Sequence, residues 1–340
     1  MRVPYVSVVL GAVLLLSHTS AWTPQSASLS LRSKTPSSTR RFSSSTAEID
    51  EADVPTAQID PVIESPRGGG VIESSLRQYS APLTVVAATV ATFLLNNQRG
   101  MGPIPASSLV GLLSGVVLPA SLSIPALCGS FAGMAKTAVV PGLGPAILLG
   151  VLCAVMSKLF DKQQWLVGSG GRLGFIAQCA CTLQFLVAFG SFAPSMSASL
   201  YSRSMMVAGV KAFVRQAVPV ALNTAAGAIA MRIWKDLFAR VKAVPRLGSP
   251  VAAVGGVGLL ANAFLPPAAV GPAFCGTFVA MSAPSKVGDL GALVLASFLA
   301  GAWQVAMSGV LLGGWGGKLG TAALLGVVSY CGLARAGRKV

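Results

Sequence analysis

From residue 75 to the C-terminus, the chain is a succession of apolar segments separated by more polar turns and loops. Ten such segments lie at 80–96, 104–118, 124–140, 143–160, 173–193, 216–231, 248–266, 270–285, 288–312 and 319–334. The only acidic residues in this region are Asp161, Asp236 and Asp289. Soluble domains carry about 25% charged residues, whereas only 10% of this chain is charged. The pattern predicts an all-α polytopic membrane protein with about 6–10 transmembrane helices.

Two parts of this region repeat one another. Residues 103–134 align without a gap with residues 250–281, and 14 of the 32 positions are identical. The best block reads Pro-Ala-Leu-Cys-Gly-Ser-Phe from Pro125 and Pro-Ala-Phe-Cys-Gly-Thr-Phe from Pro272. A second block, Gly-Ser-Gly-Gly-Arg-Leu-Gly from Gly168, matches Gly-Trp-Gly-Gly-Lys-Leu-Gly from Gly314. Ordered matches of this kind predict two structural copies, which we place at 77–193 and 215–335 within a membrane domain of residues 75–340.

The number of crossings in each copy determines how the copies are oriented. Each copy holds five apolar segments, and the short second and third segments form either two crossings or one re-entrant hairpin. Each copy therefore crosses five times or three, so the second copy enters from the opposite side and the repeats are inverted. Charge placement agrees, because thirteen of the nineteen Lys and Arg residues after position 75 fall on the side of residue 77. We call this positive side the first side, and we expect both ends of the membrane domain there.

The matched Pro-Ala-x-Cys-Gly blocks are candidates for a substrate path. Secondary transporters with inverted repeats bind substrates near the midplane, where broken helices expose backbone groups. Pro begins such a helix, Gly allows close approach, and the hydroxyl and Phe offer a contact and a wall. The candidates are Pro125, Cys128, Gly129, Ser130, Phe131, Pro272, Cys275, Gly276, Thr277 and Phe278. The alternative is that these small residues, with the cysteines acting as apolar groups, only let helices pack closely.

Charged and polar residues give further candidates. Arg172 and Lys318 follow Gly-rich turns at the start of apolar segments, which is a favourable setting for an anion site. The alternative is a tight turn with a snorkelling basic side chain. Asp289 is a coupling candidate, because acids beside membrane helices often bind protons or ions, although a loop charge explains it equally. Other polar residues inside apolar segments are first interpreted as packing hydrogen bonds: Gln178, Gln184, Asn223, Asn262 and Gln304.

Several function classes are disfavoured by what the chain lacks. Its one histidine, His18, lies near the N-terminus, so histidine metal sites and Ser-His or Cys-His nucleophile pairs are not expected. We expect no metal, no cofactor and no enzymatic activity. The basic residues are scattered rather than gathered on one face, which argues against nucleic acid. The expected partners are membrane lipid and an unidentified small molecule or ion, and the sequence does not specify an oligomeric state.

The N-terminal region has the composition of a targeting sequence. Residues 1–21 form a signal peptide pattern, residues 22–46 are rich in Ser, Thr and basic residues like a transit peptide, and residues 47–74 read as a disordered acidic linker. The junction Thr19-Ser20-Ala21-Trp22-Thr23-Pro24 resembles the cleavage motif of bipartite plastid presequences in diatoms and related algae. The resemblance implies a plastid membrane, in particular the envelope, with the first side facing the stroma. Delivery to a secretory-pathway membrane is the alternative.

These observations predict a multi-pass plastid membrane transporter or channel for a small solute, with a preference for an anion. The alternative is a non-transporting integral membrane scaffold or assembly factor. The discriminating feature is the space between the two copies, because a polar cavity favours transport and dry packing favours a scaffold.

Overall fold

The computed structural model describes residues 71–189, 198–241, 245–308 and 315–337, and every regular element in these ranges is helical. The helices are α1 (Val71–Phe93), α2 (Pro103–Val117), α3 (Ala120–Gly133), α4 (Leu143–Lys162), α5 (Arg172–Phe189), α6 (Ala198–Ala239), α7 (Pro250–Phe264), α8 (Pro267–Val279), α9 (Leu290–Ala306) and α10 (Trp315–Gly337). A π-helical turn, Leu94–Gln98, continues α1, and a 3-10 turn, Pro245–Gly248, precedes α7. The signal and transit segments and residues 47–70 of the predicted linker lie outside the described residues, and α1 includes the last four residues of that linker, 71–74.

The helical architecture predicted from the sequence is confirmed, but among the described residues four helical stretches, rather than 6–10, have the length and apolarity of a crossing helix. Four helical stretches are long and apolar enough to cross a bilayer: Tyr79–Gln98, Leu143–Lys162, Phe213–Ala239 and Gly317–Gly337. The other helices are apolar but shorter, between 13 and 18 residues. Large apolar side chains such as Leu83, Val155 and Leu222 are more than half exposed on the helix surfaces. Exposure of this kind is stable in lipid, where no hydrophobic penalty applies.

Leu-Pro pairs form the corners between α2 and α3 and between α7 and α8. Leu118 ends α2 with an extended backbone (φ −90°, ψ 150°), and Leu265 ends α7 in the same conformation (φ −97°, ψ 151°). The following residues, Pro119 and Pro266, disfavour helical backbone in the residue before them. Each proline then serves as the N-cap of the next helix. The chain therefore turns back on itself twice with almost no loop.

The helices of each half pack in the same order. In the first half α1 packs against α3 and α4, and α5 packs against α3 and α4. In the second half α6 packs against α8 and α9, and α10 packs against α8 and α9. The halves join through α2 against α7 and through α5 against α10.

Both junctions between the halves are antiparallel. Along α2 and α7, Gly115 lies against Ala252 while Gly255 lies against Leu112 and Ser108. Along α5 and α10, Gly320 contacts Gly174, whereas the earlier residue Gly317 contacts the later residue Gln178. Glycines at these crossings allow the backbones to approach closely.

Candidate functional site

The two matched blocks meet at the centre of the molecule. In α3 the residues from Cys128 to Phe131 are buried, and in α8 the residues from Pro272 to Phe278 are buried. The ring centroids of Phe131 and Phe278 are 4.8 Å apart, and Phe274 lies 4.8 Å from Phe278 and 6.4 Å from Phe131. These three rings, which we call the aromatic centre, fill the space between the halves. Pro125 is the one block residue that is only partly buried.

The glycines of the blocks are in contact with backbone. A Cβ placed on Gly129 would collide with the carbonyl oxygen of Val85 in α1, and one on Gly276 would collide with that of Thr224 in α6. The two glycines therefore have the same structural role: Gly129 lets α3 lie directly against α1, and Gly276 lets α8 lie directly against α6. This geometry matches the packing interpretation of the small residues. The space around both glycines is filled by protein.

The cysteines of the blocks also have matching partners. The Cys128 thiol donates to the carbonyl oxygen of Leu173 at 3.5 Å, and the Cys275 thiol donates to that of Leu319 at 3.3 Å. Leu173 and Leu319 are matched residues of the second sequence block. The Cys128 thiol has a further neighbour, because its Sγ atom lies 3.7 Å from that of Cys153.

Hydroxyl groups in the blocks are satisfied close by. Ser130 donates to the carbonyl oxygen of Leu127 at 2.8 Å, and its Oγ lies 3.0 Å from that of Ser107. Thr277 donates to the carbonyl oxygen of Phe274 at 2.7 Å. Ser130 and Thr277 therefore use their donors within their own helices, and neither hydrogen bond requires a ligand.

The anion-site candidates occupy different electrostatic settings. The Arg172 guanidinium donates to the Asp161 carboxylate at 2.7 Å and to the Trp165 carbonyl oxygen at 2.9 Å. Lys318 is half-buried in the first turn of α10, where it experiences the like charge of Lys136. The structure therefore separates the two candidates, one beside a carboxylate and the other beside an ammonium. An anion role for either residue stays a prediction.

Asp289, the coupling candidate, is exposed and serves as the N-cap of α9. Its Oδ1 accepts from the backbone N–H of Ala292 at 2.6 Å. This contact satisfies one of the free N–H groups at the start of the helix. A role in coupling stays a prediction.

A cavity of about 570 Å³ lies beside the second block. It is bounded by the N-terminal ends of α2 and α8, the C-terminal ends of α7 and α9, and the middle of α6. The polar lining residues are Gln216, Asn262, Gln304 and Ser308. The Oε1 atom of Gln304 is buried and has no hydrogen-bond partner among the described residues. Pro272 is the one residue of the predicted substrate path that lines it.

The corresponding corner of the first half is bridged by hydrogen bonds. The Arg246 guanidinium donates to the carbonyl oxygen of Val117 at 3.0 Å, and the Ser249 hydroxyl donates to that of Gly115 at 3.4 Å. Gly115 is the sequence counterpart of Asn262 in the alignment of the two copies. The two Leu-Pro corners are therefore alike in backbone but different in surroundings.

Two of the polar residues recognised in the sequence, Asn262 and Gln304, line the cavity, whereas Gln184 and Asn223 bind carbonyl oxygens of Pro145 and Pro219. Within the described ranges, no three His, Cys, Asp or Glu side chains are clustered as a metal site would require.

No protein-family model, curated protein or solved structure matches this chain.

Proposed function

We propose that this chain is a multi-pass transporter that moves a small polar solute by exposing a cavity first to one side of a membrane and then to the other. The observation that carries the proposal is the contrast between the two Leu-Pro corners. One opens into a cavity of about 570 Å³, and the other is bridged by Arg246 and Ser249. An inverted-repeat transporter in one of its two states has this form, because its copies exchange conformations when access changes sides.

The packing of the helices supports the inverted repeat. A two-fold axis parallel to the membrane plane places counterpart helices antiparallel, whereas an axis along the membrane normal would place them parallel. The counterparts α2 and α7 are antiparallel, and so are α5 and α10. The paired contacts Cys128 to Leu173 and Cys275 to Leu319 give the same correspondence at the level of single atoms.

In this topology the cavity faces the second side. The α7 helix begins beside the basic segment 232–246 on the first side and runs towards the second side, where Asn262 lies near its end. Replacing Arg246 and Asn262 singly by Cys tests this placement in vesicles of known orientation, with the six native cysteines replaced by Ala. A membrane-impermeant maleimide is expected to label Arg246→Cys and Asn262→Cys from opposite faces. Labelling of both from one face would contradict the proposed crossing of α7.

Transport itself is tested by closing the cavity. A Cβ placed on Gly271 has only the Gln304 amide nitrogen within 4 Å, at 3.8 Å, so Gly271→Leu has room to project towards that amide. Gly332→Leu is the matched control, because nothing lies within 4 Å of its Cβ position in α10. In proteoliposomes we expect light-scattering flux of at least one of urea, glycerol, acetate and chloride. Gly271→Leu is expected to abolish this flux and Gly332→Leu to preserve it.

A non-transporting scaffold or assembly factor is the second candidate. The aromatic centre and the backbone contacts of Gly129 and Gly276 favour it, since they fill the space between the halves. In that case no test solute would cross faster than in protein-free liposomes, and Gly271→Leu would behave like the control. That result would overturn the transport proposal.

A preference for an anion is tested at the two charged candidates. Arg172 is paired with Asp161, and both Arg172 and Lys318 lie outside the cavity lining. Anion transport therefore predicts that Arg172→Gln or Lys318→Gln slows acetate or chloride flux relative to urea or glycerol. Unchanged anion flux in both variants would remove the preference for an anion.

The plastid envelope is the proposed location, with the first side facing the stroma. It rests on the presequence, whose residues 1–46 lie outside the described residues. Fusion of these residues to a fluorescent protein is expected to direct it to the plastid of an alga with a secondary plastid. Retention in the secretory pathway would favour the alternative location. The proposal assigns no enzymatic step, cofactor or metal to the chain.

A further inference from the structure

We infer that the cavity beside α8 binds an uncharged amphipathic molecule, which has an apolar body and a head group that donates a hydrogen bond to Gln304. The inference rests on the proposed function, in which this cavity is the solute site, and adds the chemical class of the solute. It concerns the chemistry that the lining selects, which the transport proposal leaves open.

The described lining favours a neutral ligand. None of the described residues that line the cavity is Asp, Glu, Lys, Arg or His. A charged group that leaves water for an apolar setting needs an opposite charge or several strong hydrogen bonds to offset its lost hydration. The lining offers neutral amides and one hydroxyl, which suit a neutral polar group.

Gln304 supplies the specific polar contact. Its Oε1 is buried and has no partner among the described residues, and an acceptor left in that state is destabilising. The amide nitrogen of the same residue lies 3.8 Å from the position of a Cβ on Gly271, another residue of the lining. A rotation of the side-chain amide would bring the enclosed oxygen to the cavity, where a ligand N–H or O–H would satisfy it. Gln304 therefore offers the head group an acceptor once its amide rotates.

The rest of the wall suits a hydrocarbon body. Ile104, Leu265, Val270 and Val305 line the cavity together with prolines at the starts of α2 and α8. A volume of about 570 Å³ is within the range of sites that bury small organic molecules. Apolar walls with a few placed polar groups are the usual composition of such sites.

Three eight-carbon probes of the same length separate the charge classes: octanamide, octanoate and octylammonium. Affinity is measured by calorimetric titration of the full chain in nanodiscs, after subtraction of partitioning into protein-free nanodiscs. We expect saturable binding of octanamide and at least about tenfold weaker binding of both ions. Tighter binding of octanoate or octylammonium than of octanamide would overturn the inference.

A pair of variants ties the binding to Gln304. Gln304→Met keeps the length of the side chain and removes the amide, so we expect it to weaken octanamide binding about tenfold. Asn223→Leu is the matched control, because it removes a partly buried amide whose donor binds the Pro219 carbonyl oxygen outside the cavity. Equal octanamide affinity in Gln304→Met and in the unmodified chain would contradict the role of Gln304.

The binding and flux experiments fail in distinguishable ways. Octanamide binding that depends on Gln304, in a protein that carries no test solute, would refute transport and leave the ligand class standing. Flux that Gly271→Leu abolishes but Gln304→Met leaves unchanged, together with unchanged octanamide affinity in Gln304→Met, would support transport and refute this inference.

Discussion

The backbone contacts at Gly129 and Gly276 predict that adding one methyl group at either position forces two helices apart. An Ala Cβ at Gly276 would lie 2.7 Å from the Ala228 nitrogen and 2.8 Å from the Thr224 carbonyl carbon, and closer still to the Thr224 oxygen. Favourable non-bonded carbon contacts are about 3.5–4.0 Å long. Because all three neighbours are backbone atoms, no side chain can rotate away, and α8 has to separate from α6.

The magnitude follows from two opposing effects. Overpacking of a close-packed interface destabilises by about 1–3 kcal/mol, while Ala in place of Gly in a helix stabilises by about 1 kcal/mol. We therefore expect Gly276→Ala to lower the free energy of unfolding by up to about 2 kcal/mol. Gly129→Ala is expected to have a similar effect, since its Cβ meets the Val85 backbone in the same manner.

Gly332→Ala is the matched control for this pair. Gly332 lies in α10 with nothing within 4 Å of its Cβ position, so this variant gains helix propensity and no clash. The free energies of unfolding are compared by reversible titration with denaturing detergent in mixed micelles. If Gly276→Ala proves as stable as Gly332→Ala, the close contact of α6 and α8 is wrong. If Gly129→Ala and Gly276→Ala differ by more than about 1 kcal/mol, the two positions are not equivalent.

Three further predictions concern side-chain pairs. A membrane-permeant oxidant should join Cys128 and Cys153 in a disulfide, because their sulfur atoms are 3.7 Å apart. Mass spectrometry would show the loss of two hydrogens as a mass decrease of about 2 Da, and Cys153→Ala should abolish this decrease. Asp161→Asn should destabilise by no more than about 1 kcal/mol, since 61% of that side chain is exposed; a larger loss in thermal unfolding would show that the pair with Arg172 is screened from solvent. Asp289→Ala should destabilise by about 1 kcal/mol through the lost cap of α9, and Asp289→Asn should restore most of it; equal unfolding temperatures for the two variants would argue against capping.

The sequence predicted the helical membrane architecture well because apolarity and proline have direct structural consequences. A chain segment without charges in lipid has to satisfy its backbone internally, which favours helix. The helix breaks at Leu118-Pro119 and Leu265-Pro266 have a cause of the same kind, because proline disfavours helical backbone in the residue before it. Helix ends were predicted less well, because apolarity reports contact with lipid rather than the end of a helix. The apolar segment 216–231 is only the middle of α6, a helix of 42 residues.

The cavity could not be predicted in the same way. Its walls come from five helices that are distant in sequence, so it depends on how they pack. Asn262 and Gln304 were recognised as polar residues in apolar segments, but so were Gln184 and Asn223. Only the structure shows which of them face the cavity: Asn262 and Gln304 line it, whereas Gln184, whose side-chain oxygen is buried without a partner like that of Gln304, lies outside the lining.

The aromatic centre has an electrical consequence. Three rings packed at centroid distances of 4.8–6.4 Å leave no room between them for a continuous file of water, along which protons and hydrated ions would move. In the conformation described, the aromatic centre therefore closes the space between α3 and α8 to water. If the chain transports as proposed, a solute would cross in discrete conformational steps, and a membrane containing many copies would keep its voltage and its proton gradient.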